Sequence, residues 1–158
     1  MPHAGVEAQR DVGAHPGQHV RRLLDAAGLP AERVVLLGFS QGACLTLEYA
    51  ARNARRYGGV AGLSGGVIGP DGAPRSDHGS LAGTPVFLGC SDHDPHIPEH
   101  RVHHAAEVLR GLGAEVTAIL YPDLGHSVNQ DEVQHVRDIM GRLVAAAGTG
   151  QERDGAAR

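Results

Sequence analysis

The chain has 158 residues, 41% of them hydrophobic and 20% charged, with a formal net charge of -4. That composition suits a single soluble globular domain, and the absence of any basic run argues against nucleic acid as a partner. No apolar stretch approaches the roughly 18–20 residues that would span a bilayer. The N-terminus Met1–Arg10 lacks the apolar centre of a signal peptide. Two cysteines, Cys44 and Cys90, make no disulfide framework. Reduced thiols and a cytoplasmic location are the simplest expectation.

Residues 1–17 show neither helical nor strand periodicity and read as irregular chain. Val20, Leu23, Leu24 and Ala27 then recur at helical spacing, so Gln18–Gly28 is expected to be a helix. Arg33–Phe39 carries the run Val34-Val35-Leu36-Leu37, the pattern of a strand buried on both faces. A helix over Gln41–Asn53 follows, and Arg55-Arg56 reads as its solvated end, favoured by the dipole. Gly59–Ser64 is a Gly-rich strand and Val67–Ala82 a loop. Thr84–Cys90 is a strand, and Pro98–Leu112 a helix with Pro98 in its first turn. Glu115–Tyr121 is a fourth strand. The last helix, Asn129–Val144, opens with Asn129 and Glu132 at capping-box spacing. Residues 18–146 form the expected domain, and 147–158 have no core-forming pattern and read as a disordered tail. Strands alternating with helices imply an α/β fold with about four parallel strands.

Gly38-Phe39-Ser40-Gln41-Gly42 matches G-x-S-x-G between a strand and a helix, the setting of a nucleophile elbow. Such a turn is tight and strained, so side chains at positions 38 and 42 are expected to collide with neighbouring chain. Ser40 would project at a helix N-terminus, where the Gln41 amide could stabilise an oxyanion. A serine hydroxyl needs a base to take its proton. His126 follows the last strand, at the sheet edge that also carries Ser40. An acid should orient the imidazole. Asp92 and Asp94, both after the third strand, are the candidates, and spacing does not choose between them.

The residues Gly38-Phe39-Ser40-Gln41-Gly42-Ala43, Leu63-Ser64-Gly65, Asp94-Pro95-His96-Ile97-Pro98 and Gly125-His126-Ser127 carry a resemblance. Across about Gln18 to Val144 the chain resembles the phospholipase/carboxylesterase family of α/β-hydrolases, which includes acyl-protein thioesterases and bacterial carboxylesterases. The resemblance implies an α/β-hydrolase fold and cofactor-free hydrolysis of short or medium acyl esters and thioesters. It also implies Asp94 as the acid, because in that family the acid precedes a Pro-x-x-Pro turn. Family members carry further strands before the elbow and a His-Gly loop that supplies a second oxyanion amide. Here the one candidate pair, His78-Gly79, lies downstream of Ser40. The chain therefore reads as the C-terminal portion of the fold. Two consequences are expected: weakened catalysis, or a non-catalytic fragment, and an exposed strand edge through which two copies could pair.

Two other chemistries are weaker. Asp92, His93, Asp94, His96, His100, His103 and His104 invite a metal reading, but no metalloprotease-type pattern is present. His100, His103 and His104 are expected on the solvated face of their helix. Cys90 ends a strand rather than occupying the elbow, so it is not expected to be a nucleophile.

Overall fold

The computed structural model describes residues 16–155. Helix α1 (Pro16–Ala27) and a single 3-10 turn (Ala31–Arg33) lead into strand β1 (Val35–Phe39) and helix α2 (Gln41–Arg52). Strands β2 (Gly59–Leu63) and β3 (Pro85–Ser91) follow, then helix α3 (Glu99–Gly111), strand β4 (Glu115–Tyr121) and helix α4 (Gln130–Gly155). The four strands form one parallel sheet in the order β1-β2-β3-β4. Phe39 stands beside Leu63, Leu63 beside Gly89, and Gly89 beside Ile119. The carboxyl ends of the strands therefore meet along one edge, and the loops beyond that edge carry the candidate site.

Successive residues of a strand point to opposite faces, and the core divides accordingly. Val60 and Leu88 face a cluster with Leu47 of α2 and Val102 and Leu109 of α3. Ala61, Leu63 and Phe87 face Val136 and Ile139 of α4. Burying an aromatic or branched side chain such as Phe87 contributes about 1.5–3 kcal/mol. No helix of the described residues is long and apolar enough to cross a membrane.

Several expectations shift. Pro16 and Gly17 belong to α1 rather than to irregular chain, proline being well suited to a first helical turn; residues 1–15 lie outside the described range. Pro98 stands just before α3 rather than inside it, with an extended ψ of 142°. Helix α4 runs to Gly155, into the stretch expected to be a disordered tail. Ala145–Ala147, Gln151, Glu152 and Arg153 are good helix formers, and a helix needs no apolar face to continue from one already anchored. Arg55 and Arg56 do not form the end of α2. Arg55 lies 5.6 Å over the Tyr57 ring, and Arg56 donates to the Ala82 carbonyl at 2.7 Å.

The largest departure is β1, which is not buried on both faces. Leu36 packs into the α2–α3 cluster, but Leu37 is 47% and Phe39 42% exposed. β1 is the outer strand, and α4 lies against β2 and β3 instead. On that face Val35 packs against the α4-side cluster, and Leu37 and Phe39 beyond it are left about half exposed.

Candidate active site

β1 delivers Ser40 to a strained turn. Its backbone takes φ 53° and ψ −120°, a region that costs a non-glycine residue about 1–3 kcal/mol. The Ser40 amide donates to the Leu63 carbonyl at 2.9 Å, which ties the turn to β2. α2 begins at the next residue, so the Gln41 amide belongs to the first turn, where backbone donors have no partner within the helix. A Cβ on Gly38 would fall 2.2 Å from the Gly42 carbonyl carbon and oxygen. The strand crosses the helix start too closely for any side chain there. Gly42 differs from expectation: a Cβ there meets nothing within 4 Å. Its side-chain direction points out of the first helical turn, away from β1.

His126 comes from the loop between β4 and α4. Its Nε2 lies 2.9 Å from Ser40 Oγ and its Nδ1 lies 2.8 Å from Asp94 Oδ2. An ionised carboxylate only accepts, so Asp94 holds a proton on Nδ1 and leaves Nε2 free to accept from the serine hydroxyl. The Asp94 side chain is fully buried. Burial alone would push its carboxyl up. The hydrogen bond to His126 and the amides of His96 and Ile97, at 2.8 and 3.0 Å from Oδ1, outweigh it and hold Asp94 below the usual carboxylate range.

Asp92 is differently engaged. Its Oδ1 accepts the Asp123 amide at 3.0 Å and lies 2.8 Å from His93 Nδ1. Of the two aspartates left open by spacing, Asp94 meets the imidazole. Cys90 is buried beside Asp94, its Sγ 3.7 Å from Oδ2. Burial first, and then the charge of Asp94, push its thiol up to about 11, so it stays protonated and is a poor nucleophile at neutral pH.

The histidine-rich run disperses. His96 sets its ring edge-on to His126, centroids 4.7 Å apart. His100 reaches Asp71 at 3.0 Å. His103 is exposed as expected, but His104 is half-buried beside Val67 and Ile68. Asp92, His93 and Asp123 do bring possible ligand atoms within 4.8 Å of one another at the surface, and their mutual pairing accounts for them. His78-Gly79 is far from the serine: Gly79 bridges to Ala54, beyond the far end of α2.

Two further residues shape the site, Ser91, which belongs to no motif, and Phe39, a variable position of the elbow. Ser91, fully buried at the end of β3, accepts the Gly125 amide at 3.0 Å. Phe39 places its ring 5.0 Å from that of His126. A cleft of about 410 Å³, lined in part by Cys44, Gly66, Asp71, Ile97, Pro98 and Arg101, adjoins the site and shares His96 with it.

A parallel sheet with helices on both faces, and a serine turn answered by a histidine at the same sheet edge, define an α/β-hydrolase. Residues 16–143 match the family model described as Phospholipase/Carboxylesterase. The chain belongs to the phospholipase/carboxylesterase family. It is 34% identical over 119 residues to a protein of Gibberella zeae named acyl-protein thioesterase 1, covering 70% of this chain and 48% of that one. It is 31% identical to a putative carboxymethylenebutenolidase of Salmonella typhi, covering 72% and 43%. Among solved structures, a phospholipase/carboxylesterase of Dyadobacter fermentans is 41% identical with a TM-score of 0.73, covering 78% of this chain and 59% of that one. SOBER1 of Arabidopsis thaliana is 26% identical with a TM-score of 0.68, covering 81% and 62%. The chain spans about half the length of the curated relatives it matches.

Proposed function

We propose that this chain is a serine hydrolase that cleaves carboxylic esters or thioesters through an acyl-enzyme on Ser40. The observation that carries the reading is the unbroken contact from Ser40 Oγ through the two ring nitrogens of His126 to Asp94. Ser40 Oγ attacks the acyl carbonyl while His126 Nε2 takes its proton. The tetrahedral oxyanion faces the Gln41 amide at the start of α2. His126 then returns the proton to the departing alcohol or thiol, and water repeats the sequence to free the acid. Asp94 keeps the imidazole in one tautomer throughout. The acyl group lies in the cleft along Cys44, Ile97 and Pro98. No cofactor enters these steps. A small acyl ester such as p-nitrophenyl acetate is expected to leave an acetyl group on Ser40 that intact mass detects, with a burst of p-nitrophenol when deacylation is the slower step. Steady release with no burst and no acyl adduct by mass would sink this reading.

A second reading has its own support. The described residues offer one amide at a helix start for the oxyanion, and loss of one donor of two costs about 10²–10³ in turnover. Slow turnover with an intact relay is therefore expected of this chain, and the limiting case is a non-catalytic fragment. Turnover matching a full-length family member would exclude it.

Among the described residues β1 pairs on one side only, and its exposed Leu37 and Phe39 support pairing of two copies of the chain. Light scattering is expected to report dimers or larger species, with Leu37→Glu shifting the sample toward monomer; a stable monomer would reject the pairing. The free thiols of Cys44 and Cys90 accord with a cytoplasmic location.

A further inference from the structure

His126 stands on a loop, yet its ring must meet Ser40 and Asp94 at once. Two fully buried side chains hold that loop, one on each side of it. Before His126, the Gly125 amide donates to Ser91 Oγ at 3.0 Å. After it, the Asn129 amide donates to Glu132 Oε2 at 2.9 Å, and the Glu132 amide returns a bond to Asn129 Oδ1 at 2.9 Å. This is the capping box that the spacing foretold.

Its setting is unusual for a cap. A helix start can be capped by exposed Ser, Asn or Glu at no desolvation cost. Glu132 instead has 0% exposure, and its Oε1 has no hydrogen-bond partner. Burying an unpartnered polar atom costs free energy. Burial also pushes the carboxyl up. What burial adds is a seat. A Cβ on Gly89 would fall 2.3 Å from Oε1, so the carboxyl rests directly on the backbone of β3. The same strand ends in Ser91 and leads into the turn that carries Asp94. Acid and base are thereby both located against β3: Asp94 through its own turn, His126 through Ser91 and Glu132.

We propose that Ser91 and Glu132 are positioning residues that fix His126 between Ser40 and Asp94. The proposal rests on the hydrolase reading for its kinetic consequence, but not for its structural one. The test compares the full chain with Glu132→Ala, Glu132→Gln and Ser91→Ala. Three quantities are measured: the rate of Ser40 labelling by a fluorophosphonate, kcat and KM on a p-nitrophenyl ester, and the downfield proton NMR resonance of His126 Nδ1–H. Glu132→Ala and Ser91→Ala are expected to lower the labelling rate and kcat about tenfold to a hundredfold, as small misplacements of a catalytic group do, with KM unchanged. The His126 resonance should broaden or vanish in both. Glu132→Gln should restore rate and resonance, because its amide oxygen still accepts from Asn129 and carries no charge. A purely structural role predicts otherwise: equal losses in the Ala and Gln variants that track lower thermal stability. That result, or wild-type rate and resonance in both Glu132→Ala and Ser91→Ala, overturns the proposal. If Glu132→Ala does not fold, Ser91→Ala decides. A wild-type chain that shows the His126 resonance but no labelling would fail the hydrolase reading, and the resonance in the variants would still judge the positioning.

Discussion

Asp94→Asn is expected to lower turnover of an acyl ester about 10⁴-fold while leaving the fold intact. The reason lies in the two oxygens of Asp94. Oδ1 accepts the amides of His96 and Ile97, and Oδ2 faces His126 Nδ1. An asparagine must leave its oxygen with the two amides, since its NH₂ group cannot accept from them. That turns the NH₂ toward His126 and makes Nδ1 the acceptor. The imidazole proton then sits on Nε2, pointing at Ser40, and the base is lost. Asp92→Asn is the control, because Asp92 engages Asp123 and His93 rather than His126. Rates measured for both variants, beside thermal melts, decide the matter. A larger loss in Asp92→Asn would reassign the acid. There is also an acid-side effect in the parent chain. Asp94 is held below its ordinary range, so the folded state favours its charged form. The stability this contributes is full above about pH 4 and is lost as pH falls through the lowered value. The Asn variant should lack that part of the acid sensitivity.

Gly38→Ala is expected to destabilise the chain by about 3 kcal/mol, the upper end for overpacking, and to lower Ser40 labelling by at least about 10². The added methyl would meet the backbone of Gly42 and Ala43 at 2.2 to 2.6 Å. No side-chain rotation relieves a clash with backbone, so β1 must part from the start of α2 and carry Ser40 with it. Gly42→Ala tests the opposite case. Its methyl enters open space, and alanine favours a helix over glycine by about 1 kcal/mol. Its melting temperature should hold or rise. A Gly42→Ala chain as unstable as Gly38→Ala would mean that something packs over the start of α2.

The elements that were plain in the sequence are those whose signal is local. Helical spacing marks α1, and the bounds of β4 match residue for residue. Asn129 and Glu132 announce a capping box by their spacing, and Ser40 announces an elbow by its neighbours. Burial is not local. Val34-Val35-Leu36-Leu37 reads alike whether a strand is central or outermost, and it is the strand order that leaves Leu37 and Phe39 half exposed. The stretch Gly148–Gly155 holds no large apolar residue, so periodicity could not mark it. The choice between Asp92 and Asp94 depends on which carboxyl meets a loop more than thirty residues away, at 2.8 Å in the case of Asp94. Family resemblance pointed to Asp94 where spacing could not. Ser91 has no motif at all, and His96 fills a variable position of the Asp94–Pro98 motif. Their only trace in the sequence is a polar residue ending an apolar strand and an imidazole inside the Pro95–Pro98 turn.

The most direct measurement is labelling of the purified chain with a fluorophosphonate, read by intact mass beside Ser40→Ala. A single adduct on the parent chain that is absent from the variant is the expected result. It would mean that nucleophile and base work together in this chain. No adduct on a sample shown to be folded, or an adduct that survives Ser40→Ala, would contradict a serine hydrolase acting through Ser40.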